Sequence, residues 1–366
     1  MIEPKNIGWG SYKEYEGPFF RGTKVYVMPN NPSEADKALQ VLTATEGGRY
    51  DAVNMYDRCI VSVGLIQWCE ASQYSTSDLL GAVADKLGHD NVIKCLKPAL
   101  DLCNATFKKN SKGKWRFFFL DKRNEVDTLA KQRELFLGCN GLNGSWDPAS
   151  KERALLWAAC LANVWQDEEA CRIQVHFTHV RLRWFYTADA KKILLEDAEP
   201  NISWAGALRA AFNSFAGNLP TVAGKHLRIA TDRLKSPKWS PDWCVGVLQE
   251  LTFGPNIAIY LHRYDVIRPY LERLWAIQLP KTSAELKTWV EPTHATVTVT
   301  QEPPVPVVNV EPPIVNTTVS SESDKPPASG PIIALEPPPI PDRNAGFWVA
   351  IMNFLKWMFA LFAPKT

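Results

Sequence analysis

Apolar residues recur at helical intervals in several separate stretches of the chain, and most of these stretches carry their own start and stop signals. Ala38, Leu39, Val41 and Leu42 follow Ser33-Glu-Ala-Asp36, which has the spacing of a capping box with Asp at its acidic position. This predicts a helix over 34–45 that ends at Gly47-Gly48, where glycine accepts a left-handed C-cap. Ser75-Thr-Ser-Asp78 caps a second helix through Leu79, Leu80, Val83 and Leu87, closed by Gly88. A third runs over 91–103, kinked or begun afresh at Pro98. From Asp147 onward, Ala154, Leu155, Ala158, Leu161, Ala162 and Val164 form a strongly apolar helix. Residues 171–185 have the composition of a strand. However, Ile173, Phe177, Val180 and Trp184 share one helical face, and Arg172, His176, His179 and Arg183 repeat that spacing on the next, so the stretch is an amphipathic helix. Ser203 is the expected cap of a helix through Trp204, Leu208, Ala211, Phe212 and Phe215, stopped by Gly217-Asn-Leu-Pro220. Helical patterns continue over 242–251 and 257–279.

Period-two patterning is sparse. Thr23–Met28 alternates briefly and reads as a strand or an ordered arm, and Ile60-Val-Ser-Val-Gly64 reads as a short strand. Phe107–Asp121 places aromatic and basic residues around the turn Asn110-Ser-Lys-Gly113. Its plain reading is a β-hairpin with a solvated Lys-rich turn; the functional alternative is a basic, aromatic ledge for an anionic polymer. The pattern as a whole predicts a mostly helical α+β fold.

Composition changes the picture at the C-terminal end. Residues 286–344 are rich in Pro, Val, Thr, Ser and Glu, hold nearly half of the chain's 27 prolines, and read as an extended linker. Residues 345–363 are apolar except for Asn353 and Lys356, and their length suits a transmembrane or membrane-interfacial helix; docking of this helix on a partner protein is the alternative. With a net charge of +2 and 22% charged residues, the chain has no global basic field, so nucleic acid is not an expected partner. The eight cysteines show no CxxC pair and read mostly as buried thiols of a reducing compartment. The 14 tryptophans read chiefly as core. Two histidines on a basic helix face do not make a metal site, and no metal or cofactor is expected. Met1–Asn6 lacks the basic-then-apolar run of a cleavable secretory signal.

Candidate chemistry concentrates in Glu46–Glu70. Glu46 falls in the last turn of the first helix, where the macrodipole and burial both favour the protonated form of a carboxyl. A protonated carboxyl next to a second carboxylate is what breaking a glycosidic bond needs: an acid for the leaving oxygen, and a group that stabilises the sugar cation, positions water or attacks. Asp57 is the leading second carboxylate, with Asp51 and Glu70 behind it. Ser62 and Gln67 are candidates to hydrogen-bond a sugar amide or a water, and Tyr50, Tyr56 and Trp68 to stack on sugar rings.

The order Thr45-Glu46-Gly47, Tyr56-Asp57, Ser62-x-Gly64 resembles the Glu-Gly, Tyr-x-Asp, Thr-x-Gly order of phage-type lysozymes. It departs from that order in Tyr-Asp for Tyr-x-Asp, in a longer Glu-to-Asp interval and in Ser for Thr. Gly64-Leu-Ile-Gln67 is similar to the Gly-Leu-Met-Gln element of lytic transglycosylases, and Phe212–Pro220 to Ser-Phe-Ala-x-Asn-x-Pro segments of large lysozyme-like hydrolases in phages and contractile injection systems. The resemblance implies a lysozyme-like catalytic domain over 1–285 with a small β-hairpin region, the linker over 286–344 and the membrane helix over 345–363. It implies peptidoglycan as substrate, Glu46 as general acid, and either hydrolysis with Asp57 or attack by the muramic acid itself to give an anhydro product. The expected setting is a chain made in the cytoplasm, delivered by lysis, by a phage particle or by an injection machine, acting at the cell wall and held to a membrane by its tail. Two further expectations stay open: a non-enzymatic cell-wall-binding anchor, and a membrane-active effector.

Overall fold

The computed structural model describes residues 1–12, 15–56, 59–70, 75–121, 123–138, 146–196, 202–217 and 219–292. Asp57, residues 293–344 of the linker expected over 286–344, and the apolar segment 345–363 lie outside the described residues. Among those described, no helix is long and apolar enough to cross a membrane.

The fold is a mostly helical α+β arrangement with a small antiparallel sheet. The sheet takes five strands in chain order: β1 Gly8–Tyr12, β2 Tyr15–Phe20, β3 Val53–Asn54, β4 Ser62–Val63 and β5 Trp68–Cys69. Between β2 and β3 the chain makes α1, Glu34–Glu46. Its capping box closes reciprocally, with Asp36 N–H donating to Ser33 Oγ at 3.2 Å and Ser33 N–H to Asp36 Oδ2 at 2.9 Å, and Gly47 ends it at φ +93°. Thr23–Met28 is the arm rather than a strand. A single bridge joins Val25 to Arg49, while Tyr26 is buried and Val25 and Val27 are exposed.

After the sheet come α2 Thr76–Leu87 and α3 His89–Leu102, the latter with Pro98 inside it, and the hairpin β6 Ala105–Lys109 with β7 Trp115–Phe119. Two basic residues of this hairpin are engaged locally: Arg116 pairs with Asp78 at 2.7 Å and Lys109 with Asp85 at 2.8 Å. Next are α4 Leu129–Leu137, α5 Pro148–Val164 and α6 Glu168–Leu182. α6 is a helix, as its apolar spacing predicts, in place of a strand; of the expected apolar face Ile173 and Phe177 are buried, while Val180 and Trp184 are exposed. The last third is helical throughout: α7 Ala188–Lys191, α8 Ile202–Ala216, α9 Pro220–Arg233, α10 Pro241–Phe253, α11 Ala258–Trp275 and α12 Ser283–Thr288. Ser203 lies inside α8, one residue past its start, and so does not cap it.

Two apolar cores organise these elements. One joins the sheet with α2–α6 and the hairpin around Phe107, Phe117, Phe136 and Trp157. The other joins α1 with α8–α12 around Phe212, Phe215, Trp243, Tyr260 and Tyr264. A small cluster of Tyr26, Leu39 and Leu65 lies between them, and Ile66 packs against all three. α1 and the loop after β4 therefore sit where the two cores meet. Trp157, Trp165, Trp239 and Trp243 are fully buried, which places these indoles in the core.

Candidate functional site

Glu46 is the last residue of α1, and its side chain is only 16% exposed. Arg263 of α11 approaches it from 217 residues away and donates through Nη2 to Glu46 Oε1 at 2.8 Å. The other end of the guanidinium, Nη1, donates to Thr45 Oγ1 and Ser214 Oγ at 3.2 Å each and to the Ser214 carbonyl. Thr45 Oγ1 and Ser214 Oγ are themselves 3.2 Å apart. The result is a small polar cluster where α1, α8 and α11 meet. A helix end considered alone omits this neighbour: Glu46 is half of an ion pair, and to pass a proton to a ligand it has to exchange Arg263 for that ligand. Arg263 gives no local sequence signal of this role, while Thr45 lies within the Thr45-Glu46-Gly47 run. Ser214 lies within the Phe212–Pro220 segment that carries the third resemblance.

The sheet places the other candidates by register. Phe20, Val53, Val63 and Trp68 form one cross-strand row, facing the core; Gly8, Phe19, Asn54, Ser62 and Cys69 form the opposite row. Ser62 therefore faces away from the core yet is only 2% exposed. All of Ile60–Gly64 is buried, so the alternation visible in its sequence does not produce a solvent-facing side. Trp68 is 5% exposed, and its ring meets Phe177 edge-on at 5.0 Å, so it presents no open face for a sugar. Cys59 and Cys69 are joined as a disulfide with Cα atoms 5.3 Å apart, which corrects the reading of these two as free thiols; Cys103, Cys160, Cys171 and Cys244 are buried and free.

The Gly64–Gln67 element has a structural explanation. Gly64 sits at φ +81° against Gln174 of α6, and a Cβ there would stand 2.4 Å from Gln174 Oε1. That oxygen accepts from Leu65 N–H at 2.7 Å, and Gln174 Nε2 donates to the Tyr50 carbonyl at 3.2 Å. Gln67 turns back on its own loop, Nε2 donating to the Gly64 carbonyl at 3.0 Å. Tyr50 is half-buried against Tyr26, and burial pushes its hydroxyl up to about 12. Tyr56 is half-buried beside Phe19.

Of the two secondary carboxylates, Asp51 is fully buried and holds the arm. It accepts from Thr23 N–H and Oγ1, from Lys24 N–H and from Gln166 Nε2 at 2.8–3.0 Å. Glu70 is 4% exposed at the start of α2, where it accepts from Ser77 N–H at 2.8 Å and Ser77 Oγ at 2.6 Å. Burial pushes its carboxyl up to about 7 despite those bonds.

Neither Asp51 nor Glu70 shares a described contact with Glu46. Among the described residues no group of three or more His, Cys, Asp and Glu is placed to hold a metal. A hollow of about 460 Å³ beneath Met1–Pro4, between α3 and α5, is lined by none of the candidate residues. Compared with protein families, curated proteins and solved structures, the chain gives no match.

Proposed function

We propose that the chain cleaves the glycan strands of peptidoglycan, with Glu46 as the general acid. The observation that carries the reading is the place of Glu46: a partly open carboxyl at the end of α1, leading into the antiparallel strands β3–β5, with Arg263, Thr45 and Ser214 around it. In this reading a sugar oxygen reaches the cluster, the Glu46 carboxylate turns from Arg263 and takes up a proton from solvent, and that proton passes to the leaving oxygen as the glycosidic bond breaks. The carboxylate so formed returns to the guanidinium, which stabilises it without touching substrate. Arg263 is therefore a positioning residue. Asp57 and Ser62 complete the site in the hydrolytic version, in which water adds to the sugar carbon. In the transglycosylase version a hydroxyl of the muramic acid adds instead and closes an anhydro ring. Tyr56 is the aromatic residue that would line the approach in either version. Residues 345–363 tether this activity to a membrane in a phage- or injection-system setting. Purified sacculi incubated with the full chain test the reading: release of soluble muropeptides supports it, and equal release by Glu46→Gln refutes the role of Glu46.

The Glu46–Arg263 pair also favours a second reading. It ties α1 to α11 as a structural clasp would, and a chain in which it never opens is a cell-wall-binding anchor without turnover. Sedimentation of the chain with intact sacculi, without release of fragments, is the outcome for that reading.

A further inference from the structure

The sheet face opposite the core has been cleared of side chains at one place. Gly10 and Gly17 are direct partners there. A Cβ on Gly17 would stand 2.4 Å from the Met55 carbonyl oxygen, and one on Gly10 would stand 3.1 Å from the rings of both Phe19 and Tyr56. The Met55–Tyr56 backbone therefore crosses this face directly over glycine and sets the Tyr56 ring perpendicular to Phe19, with centroids 5.9 Å apart. A hollow of about 330 Å³ lined by Asn6, Gly8, Phe19, Phe20 and Arg21 opens beside the pair. That volume is at the low end of the ~300–1,000 Å³ typical of small-ligand sites. Arg21 at its rim is exposed and makes no ion pair among the described residues.

We propose that this hollow is a glycan subsite: one N-acetylhexosamine ring of a peptidoglycan strand lies against Phe19, and a carboxylate of the adjoining stem peptide pairs with Arg21. The proposal rests on the reading of the chain as acting on peptidoglycan. Aromatic rings supply a flat apolar surface to the C–H face of a sugar, and a guanidinium recognises a carboxylate through two parallel hydrogen bonds. The cross-strand row Phe19–Asn54–Ser62 runs from this hollow across the sheet to the buried Ser62.

The test uses the full chain carrying Glu46→Gln, so that bound glycan is not consumed, and two soluble probes: chitotetraose, which has no peptide, and a tetrasaccharide muropeptide bearing stem peptides. Calorimetry is expected to show that Phe19→Leu weakens both probes by about ten-fold, and that Arg21→Ala weakens only the peptide-bearing probe, also by about ten-fold. Arg21 is exposed and unpaired, so its variant reads binding rather than folding even if Phe19→Leu lowers stability. Unchanged affinity of the peptide-bearing probe for Arg21→Ala overturns the proposal, as does failure of both probes to bind. If the probes bind as expected but the wild-type chain releases nothing from sacculi, the catalytic reading falls and the subsite stands. Release from sacculi with no effect of either variant removes the subsite alone.

Discussion

Gly64→Ala probes the joint between the candidate loop and α6. Gly64 adopts φ +81°, and its missing Cβ leaves the space taken by the Gln174 side chain, 2.4 Å from where that carbon would be. Two costs follow. A non-glycine residue in the left-handed region costs roughly 1–2 kcal/mol. The added methyl also displaces the fully buried Gln174 from Leu65 N–H and the Tyr50 carbonyl, and each buried group left without a partner costs roughly 1–3 kcal/mol. With one of the two bonds lost, the total is roughly 2–5 kcal/mol, and at about 2 °C per kcal/mol for a large domain the melting temperature falls by about 4–10 °C. Differential scanning fluorimetry reads this directly. A cycle with Gln174→Ala separates the terms, because removing the glutamine leaves only the backbone cost; in that background Gly64→Ala is expected to cost at least ~1 kcal/mol less. A Gly64→Ala melting temperature within about 1 °C of wild type, or strict additivity in the cycle, refutes this account of the loop.

The pH dependence of stability has a sign set by Glu70. Its carboxyl rises from 4.5 to about 7 on folding, so the folded state holds a proton that the unfolded state has lost, and stability falls as pH climbs through that window. The full effect is roughly 3 kcal/mol. Urea titrations at pH 5 and pH 8 should show Glu70→Gln losing that much less stability between the two than wild type; identical losses count against it. Arg263→Ala leaves the Glu46 carboxylate and the Ser214 carbonyl without their partner and is expected to cost roughly 3–5 kcal/mol in the same assay. Glu46→Gln, whose amide oxygen still accepts from Arg263, is expected to stay within about 1–2 kcal/mol of wild type. Alkylation of the denatured, unreduced chain followed by peptide mass spectrometry should leave Cys59 and Cys69 unlabelled. Replacing both with Ser should cost roughly 3 kcal/mol for a loop of this length, and labelling of either cysteine in wild type refutes the bond.

The elements legible in the sequence are those whose signals are local. α1 and α2 announce themselves by capping boxes and C-terminal glycines, the β6–β7 hairpin by its turn, and α6 by a 3.6-residue period strong enough to override strand-like composition. The β1–β2 ribbon is less legible because its glycines serve the space above the sheet rather than a turn, and its pattern of Gly, Trp and Phe has no simple alternation. β3–β5 are two residues each, too short for any period to register. At the candidate site, Glu46 and its helix end can be read from neighbours in the chain. Arg263 cannot, since what makes it a partner is the packing of α11 against α1. Gly64–Gln67 shows the converse: a motif that reads as chemistry is accounted for by the close approach of Gln174. Ser203 looks like a cap by residue type, yet α8 begins before it.

The central claim is that Glu46 protonates a glycosidic bond in peptidoglycan. Mass spectrometry of the soluble fraction from purified sacculi, treated with the full wild-type chain or with Glu46→Gln, tests it most directly. The account predicts muropeptides with newly formed reducing or anhydro ends from wild type, and a yield at least ~10²-fold lower from the stably folded Glu46→Gln chain. Equal yields from the two, or none from wild type across a range of pH and salt, would contradict it.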